Sequence, residues 1–247
     1  MRTDVREERL LVISDLHLGN PFSQASQSLG AFLDYALERR FNLVINGDGL
    51  EILQADIGTL AHASAGVVTG LRRLLAADRR VYYIVGNHDI ALEHLIGSWM
   101  GDHICPFLNV RSGDQRIRIE HGHLYDPFFF KYPRLYELVT RMAGPFLHVR
   151  PELYTFWTRY QQLKGWFSGK LSREGVQQPT PFHEGAEMLL KRGFDAVVFG
   201  HTHKPEDLPI AGGRYLNAGN WVKGGTYVEI DHGEVTLKSW NPKQLTG

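Results

Sequence analysis

Apolar residues along this chain form short continuous runs that are separated by longer stretches with helical spacing. Continuous apolar runs of this length predict buried strands, and they fall at Arg9–Ser14, Asn42–Asn46, Val81–Val85 and Ala196–Phe199. Polar and apolar residues alternate at Gln115–Glu120, which predicts a half-exposed strand. Further short β segments are predicted near the end of the sequence, at 215–217, 226–231 and 234–240.

Between these strands, apolar residues recur every three or four positions, which predicts helices. The predicted helices cover Leu29–Arg40, Leu60–Ala77 and Glu184–Arg192. Strands that alternate with helices predict an α/β layered fold, and the final β segments indicate a second sheet packed on the first. We therefore expect a core formed by residues 1–123 and 181–247, with one interruption at 124–180.

The interrupting residues, 124–180, differ in composition from the rest of the chain. They include 13 of its 28 aromatic residues, and eight Lys or Arg against four Asp or Glu. Helix-start and helix-stop residues predict one helix from near Pro133 to Gly144-Pro145 and a second helix after Pro151. Two interpretations remain open: a helical layer with a structural role only, and a lid that covers a substrate and reaches a membrane surface.

Composition and charge narrow the function classes. The 247 residues carry 27 Lys plus Arg and 27 Asp plus Glu, and a neutral chain gives no support to nucleic-acid binding. The single cysteine, Cys105, excludes an internal disulfide and fits a reducing compartment. The sequence contains neither an apolar run of membrane-spanning length nor a signal-peptide pattern. We expect a cytoplasmic protein, which could also contact the inner face of the membrane through residues 124–180. The sequence leaves the oligomeric state open.

Side chains that can bind metals follow each predicted core strand. They are Asp15 and His17, then Asp48, then Asn87 beside His88 and Asp89, then His121, and finally His201 and His203. In α/β sheets, ligands bind outside the carboxyl ends of the strands, so these clusters are expected to share one crevice. Asp oxygens and His nitrogens are ligands for Mn, Fe or Zn. Two such ions, bridged by a carboxylate, clamp a phosphate for in-line attack by a metal-bound hydroxide.

The series SDLHLG, NGDGLE, GNHD, HGH and GHTHKP resembles the five motifs of the calcineurin-like metallophosphoesterase superfamily. The resemblance implies a four-layer αββα sandwich, which here would carry a helical lid insertion. It implies two divalent ions, with manganese as the first expectation and iron or zinc as alternatives. One ion would be held by Asp15, His17 and His203, the other by Asn87, His121 and His201, and Asp48 would bridge them. His88, paired with Asp89, would contact the phosphate or protonate the leaving group.

A narrower resemblance is to the UDP-2,3-diacylglucosamine pyrophosphatases of the lipid A pathway, which have similar length, motif spacing and a lid over acyl chains. It implies a lipid-linked substrate contacted by Asn87, His88, Tyr125, Phe128, Arg134 and Arg141. This chain has His88 where that family has Arg, and His123 and Asn220 where it has Asp. HGHLYDP is closer to small phosphodiesterases, so a soluble phosphodiester or phosphomonoester remains the alternative. A scaffold without catalysis is disfavoured, because no predicted ligand is missing.

Overall fold

Two six-stranded sheets with helices on their outer faces form this protein. The architecture comes from a computed structural model, which describes residues 3–96, 103–132, 180–222 and 224–241, with isolated positions between 134 and 141. The strands are β1 (Asp4–Arg6), β2 (Arg9–Ile13), β3 (Asn42–Asn46), β4 (Val81–Ile84), β5 (Ile104–Cys105), β6 (Phe107–Ser112), β7 (Gln115–Glu120), β8 (Ala196–Phe199), β9 (Glu206–Ile210), β10 (Gly213–Asn217), β11 (Thr226–Asp231) and β12 (Glu234–Ser239). The α-helices are α1 (Ala25–Glu38), α2 (Ile57–Ala76), α3 (Pro127–Lys131) and α4 (Pro181–Leu190).

Strand order brings together segments that are distant in sequence. One sheet has the order β12-β11-β2-β3-β4-β5, and the other has the order β1-β6-β7-β8-β10-β9. Strands β2, β3, β4 and β5 are parallel neighbours, and so are β7 and β8. Parallel neighbours end at the same edge of a sheet, so the loops after β2, β3 and β4 lie side by side, as do those after β7 and β8.

The continuous apolar runs reflect burial on both faces of the central strands. In β2, Leu10 and Val12 belong to the core between the two sheets, while Leu11 and Ile13 belong to the core beneath α1 and α2. Alternate residues of a strand point to opposite faces, so a strand covered on both sides needs apolar side chains at every position. This double coverage confirms the expected α/β class.

The outer helices complete the four layers. Phe32 of α1 packs edge-on against Trp221 and Tyr227, beside the first sheet. On the second sheet, Leu189 and Leu190 of α4 pack on Val197, Phe199 and Tyr215. The predicted αββα sandwich is confirmed.

Strands β3, β7, β8 and β11 have the predicted bounds. Strands β1, β5, β6 and β9 were not predicted. Strands β1, β5 and β9 lie at sheet edges, where exposure weakens the apolar pattern, and β9 contains Pro209, which an edge strand tolerates. Helices α1, α2 and α4 begin three or four residues before their predicted starts, because their first turns precede the apolar stripe that marked them.

Helix α3 was not predicted, although it lies at the start of 124–180. Asp126 caps it by accepting from the backbone N–H groups of Phe128 and Phe129. Arg134 and Arg141, within the helix predicted from Pro133, are helical and exposed. Pro133 itself, Gly144-Pro145 and the whole second predicted helix lie outside the described residues. Within the described ranges, no helix is both long enough and apolar enough to span a bilayer.

Candidate metal centre

Backbone hydrogen bonds tie the loops at the strand ends into one unit. The N–H of Asp15 donates to the carbonyl of Gly47 (3.2 Å), and the N–H of His17 donates to that of Asp48 (2.8 Å). Across the other sheet, the N–H of Gly200 donates to the carbonyl of His121 (3.1 Å). The crevice expected from the strand order is therefore formed by these loops.

The first group of side chains consists of Asp15, His17 and His203. Asp15 Oδ1 lies 3.0 Å from His203 Nε2 and 3.9 Å from His17 Nε2. The two imidazole Nε2 atoms are 3.2 Å apart. The other carboxylate oxygen, Asp15 Oδ2, accepts from Ser14 Oγ (2.5 Å) and from the N–H of His201 (3.0 Å), so Oδ1 faces the two rings.

The second group consists of Asp48, Asn87, His121 and His201. His121 Nε2 lies 3.3 Å from Asp48 Oδ2 and 3.2 Å from Asn87 Oδ1. His201 Nδ1 lies 2.8 Å from the same Asn87 oxygen. The structure therefore brings these four predicted residues together, all buried or nearly so.

Asp48 lies between the two groups. Its Oδ2 is 3.8 Å from His17 Nε2 and 3.3 Å from His121 Nε2, which belong to different groups. Its Oδ1 accepts from the N–H of His88 (2.9 Å). One oxygen is thus held by the backbone while the other faces both groups, as a bridging carboxylate requires.

Hydrogen bonds to the remote ring nitrogens set the tautomers of three histidines. His121 Nδ1 contacts the carbonyl of Asn46 (2.8 Å), and His17 Nδ1 contacts Glu51 Oε2 (2.8 Å). His201 Nε2 contacts Asp126 Oδ2 (3.0 Å). Carbonyl and carboxylate oxygens only accept, so each of these nitrogens carries the hydrogen. Once the ring is neutral, as a metal ligand has to be, the opposite nitrogen presents its lone pair to the centre, which is the arrangement found in metal-binding histidines.

The backbone is strained where these side chains are held. Five candidate ligands have a positive φ, in the region that non-glycine residues rarely adopt: Asp15 (56°), His17 (46°), Asp48 (51°), His201 (65°) and His203 (59°). Such strain costs about 1–3 kcal/mol per residue and collects at functional sites. Its concentration at one set of loops supports a functional role for this crevice.

Carboxylates and imidazoles in the crevice shift each other's pKa values. Burial opposes ionisation of Asp15. The charge of His203 and its hydrogen bond to Asp15 outweigh burial and lower the pKa of Asp15 to about 2. Burial likewise disfavours protonated His121, yet the charge of Asp48 raises its pKa to about 10. Metal binding in such sites releases protons, because ligands must be deprotonated. Divalent cations would therefore compete with protons for the same nitrogen and oxygen atoms.

The donor set fits divalent ions by geometry as well as by chemistry. Among the described residues, three groups each offer ligand atoms that lie within 4.8 Å of one another: Asp15–His17–His203, His17–Asp48–His88 and Asp48–His121–His201. The first and the last of these match the two expected ion sites. Nitrogen and oxygen ligands at about 2.0–2.2 Å from a metal lie roughly 3–4 Å from each other, which matches the separations above. Facing lone pairs at these distances repel unless a proton or a cation lies between them.

His88 is oriented by a residue other than the one expected. Its Nδ1 lies 2.5 Å from Glu51 Oε1, and the second oxygen of Glu51 holds His17. The expected pairing of His88 with Asp89 is therefore corrected. Asp89 is fully buried and accepts from the N–H groups of Gly49 and Gly86 (2.8 and 2.7 Å). Its carboxylate thus holds the loops after β3 and β4 together and is not free to face the crevice.

The expected substrate contacts have different environments. Asn87 and His88 lie in the crevice, and Phe128 of helix α3 is 45% exposed. Tyr125 stacks on Phe199 at 5.1 Å between ring centroids, so its ring is committed to packing against the core. Arg134 and Arg141 are exposed, and their contact with a substrate stays a prediction.

Sequence reasoning assigned no role to two acidic residues that contact the candidate ligands. Glu51 is only 1% exposed and holds both His17 and His88, and its place three residues after Asp48 in the same loop was the available signal. Asp126 pairs with His201, a contact between residues 75 positions apart that no local pattern reveals.

A family model described as calcineurin-like phosphoesterase matches residues 8–205. The chain belongs to this family, and it is accordingly a metal-dependent phosphoester hydrolase.

Individual relatives are more distant. The UDP-2,3-diacylglucosamine hydrolase of Pseudomonas aeruginosa (strain UCBPP-PA14) is 24% identical over 229 residues, which cover 90% of this chain and 95% of the relative. The protein of the same name from Stenotrophomonas maltophilia (strain R551-3) is 25% identical, covering 92% of this chain and 96% of its own. The solved structure of hypothetical protein PH1004 from Pyrococcus horikoshii OT3 aligns with a TM-score of 0.52 at 12% identity, covering 98% of this chain and 91% of that one. This last likeness shows the fold alone.

Proposed function

We propose that this protein is a dinuclear metal-dependent phosphoesterase that cleaves a phosphoanhydride or phosphodiester bond. The observation that carries the proposal is the convergence of lone pairs from two donor groups on either side of Asp48 Oδ2. One ion would be held by Asp15, His17 and His203, and the other by Asn87, His121 and His201. Manganese is our first candidate, since Mn, Fe and Zn all accept these donors and availability decides between them.

When bound, the two ions would neutralise phosphate oxygens and activate the attacking water. The chain itself supplies orientation and a proton. Glu51 holds Nδ1 of His88, which leaves Nε2 as the nitrogen able to pass a proton to the departing oxygen. Burial lowers the proton affinity of His88, but the charge of Asp48 and the hydrogen bond to Glu51 outweigh it and raise its pKa to about 9. Its 17% exposed side chain remains reachable from solvent.

For the substrate, we favour a lipid-linked nucleotide of the UDP-2,3-diacylglucosamine type. Relatives that bear this name align along about nine-tenths of the chain. Apolar side chains are also exposed on and beside helix α3, whose cap residue Asp126 contacts His201: Leu124 is 62% exposed, Phe130 76% and Tyr132 46%. Exposed apolar patches commonly mark ligand or partner surfaces, and acyl chains would cover this one.

A soluble phosphodiester is the second candidate substrate, and two residues favour it. His88 stands where arginine is expected for the lipid-linked substrate. His123 stands where aspartate is expected, and it is buried edge-on against Phe129 with 4.8 Å between centroids. Burial and the nearby charge of His121 lower the pKa of His123 to about 3, so this position carries no charge for a substrate to meet.

Hydrolysis of UDP-2,3-diacylglucosamine beside bis(p-nitrophenyl) phosphate separates the two candidates. With manganese-loaded protein, we expect kcat/KM for the acylated nucleotide to exceed that for its deacylated form and for the aryl diester. Equal values for the acylated and deacylated forms would overturn the lipid-linked substrate and favour the soluble one. Absence of hydrolysis of all three by fully loaded protein would overturn the catalytic proposal.

The role of the insertion as a lid is tested by replacing residues 133–179 with a short Gly/Ser linker. The replacement begins after Tyr132 because Tyr125, Asp126 and Phe129 contact core residues. We expect metal content and aryl diester hydrolysis to persist, and activity on the acylated substrate and binding to anionic vesicles to fall. An unchanged ratio of kcat/KM for acylated and deacylated substrates would favour a purely structural layer.

A further inference from the structure

We infer that Asp126 is a positioning residue that couples helix α3 to the occupancy of the candidate metal site containing His201. The inference rests on the proposed metal centre. It concerns a residue that lies outside the five sequence motifs. Asp126 is the first residue after the short helical turn at His123–Tyr125, at the start of the segment that separates HGH from GHTH.

The two carboxylate oxygens of Asp126 have separate tasks. Oδ2 lies 3.0 Å from His201 Nε2, and Oδ1 accepts from the N–H groups of Phe128 (2.8 Å) and Phe129 (3.4 Å). One side chain therefore begins helix α3 and also orients a candidate ligand. An ionised carboxylate can only accept hydrogen bonds, so Asp126 is an acceptor on both sides.

The contact with Asp126 decides which nitrogen of His201 faces the centre. Because the carboxylate accepts from Nε2, Nδ1 keeps its lone pair and points at Asn87 Oδ1, 2.8 Å away. With no partner at Nε2, the ring could rotate or adopt the other tautomer, and either change removes Nδ1 as a ligand. Partners of this kind typically contribute 10–100-fold to metal affinity.

The other candidate ligands are held by residues of the core. His121 is held by the carbonyl of Asn46 at the end of β3, and His17 by Glu51 in the following loop. Among these three histidines, only His201 depends on a residue that also starts α3. Phe128 and Phe130 of that helix are 45% and 76% exposed, so a ligand that contacts them acts on the element that Asp126 caps.

This arrangement couples cation binding at His201 and the stability of helix α3 in both directions. A cation on Nδ1 polarises the ring and strengthens the Nε2–H bond to Asp126, which stabilises the first turn of α3. By thermodynamic reciprocity, displacement of α3 lowers the affinity of the His201 site for the cation. The factor is the same as that by which the bound cation stabilises α3.

Two substitutions separate the metal contact from the helix cap. Asp126→Ser keeps a good N-cap residue, but its shorter side chain cannot reach His201. Asp56→Ala is the matched control, because Asp56 caps α2 by accepting from the N–H groups of Gly58 and Thr59 and, within the described part of the chain, contacts no candidate ligand. Mn²⁺ is titrated into metal-free protein by calorimetry, and hydrogen–deuterium exchange is followed at residues 127–132 with and without Mn²⁺.

In Asp126→Ser, we expect one of the two Mn²⁺ sites to weaken 10–100-fold while the other stays within about twofold. Mn²⁺ should slow exchange at 127–132 in the wild type and in Asp56→Ala, and not in Asp126→Ser. Equal weakening of both sites, wild-type affinity at both, or Mn²⁺ protection of α3 in Asp126→Ser would each overturn the coupling. Failure of the wild type itself to bind two ions would count against the proposed function instead.

Discussion

Replacing Gly86 with alanine places a methyl group against the Asp48 carboxylate. The added carbon would meet Asp48 Oδ1 and the backbone nitrogen of Asp48 at distances no side chain tolerates. Gly86 does not have a positive φ, so alanine is acceptable to the backbone itself. The consequence is therefore displacement of Asp48, in which the backbone at Asp48 has to move together with the carboxylate.

The size of the effect follows from that contact. Non-bonded carbon atoms prefer separations of about 3.5–4.0 Å, so the carboxylate has to retreat by about 1 Å. Metal–ligand bonds tolerate only about 0.2 Å. Metal binding requires the carboxylate to return to its original place against the added methyl group, and such overpacking costs about 1–3 kcal/mol. Incurred on binding, this cost is equivalent to roughly 5- to 150-fold in metal affinity. Because Asp48 faces both groups, both ions should weaken together.

Calorimetric titration of Mn²⁺ into metal-free Gly86→Ala, with elemental analysis of the loaded protein, measures this effect. Gly66→Ala is the matched control: no atom lies within 4 Å of its added methyl group, and alanine in a helix is favoured over glycine by about 0.5–1 kcal/mol. The control should bind Mn²⁺ normally and unfold at a slightly higher temperature. If Gly86→Ala bound two Mn²⁺ with wild-type affinity, the reasoning about Asp48 would be refuted.

Three further substitutions test separate parts of the centre. Asp48→Ala should abolish binding of both ions and all turnover, as measured by elemental analysis and aryl diester hydrolysis; retention of two ions would contradict a bridging role. Glu51→Gln should weaken the ion at His17 by about 10–100-fold and also lower kcat, and an effect on kcat alone would place Glu51 on His88 only. His88→Ala should lower kcat by about 10²–10⁴ with metal content unchanged, whereas loss of an ion would make His88 a ligand.

The strands and helices that carry the centre could be predicted from sequence because they are buried on a regular pattern. Strand β2 is apolar at consecutive positions since both of its faces are covered, and α1 shows a stripe because only one face is. Edge strand β9 lacked such a signal, because it begins with two acidic residues, contains Pro209 and has no buried residue. A strand can therefore be predicted from sequence when neighbouring elements bury nearly all of its side chains. A strand that its neighbours bury only partly leaves no clear apolar pattern.

The candidate ligands were predictable for a different reason. Each follows a strand end, and parallel neighbours bring strand ends together, so Asp15, Asp48 and His201 could be grouped before their distances were known. The partners of these residues were less accessible. Asp89 was paired with His88 on the basis of adjacency, while the ring is held by Glu51 across the crevice. Adjacent side chains often diverge, and a contact such as Asp126–His201 depends on how two loops meet.

Metal stoichiometry at saturation tests the central claim most directly. Metal-free protein is loaded with excess Mn²⁺, freed of unbound ions, and its manganese and protein contents are measured together, with Asp48→Ala treated in parallel. A dinuclear centre predicts two ions per chain for the wild type and none for Asp48→Ala. One ion or none in the folded wild type, or two ions retained in Asp48→Ala, would contradict it.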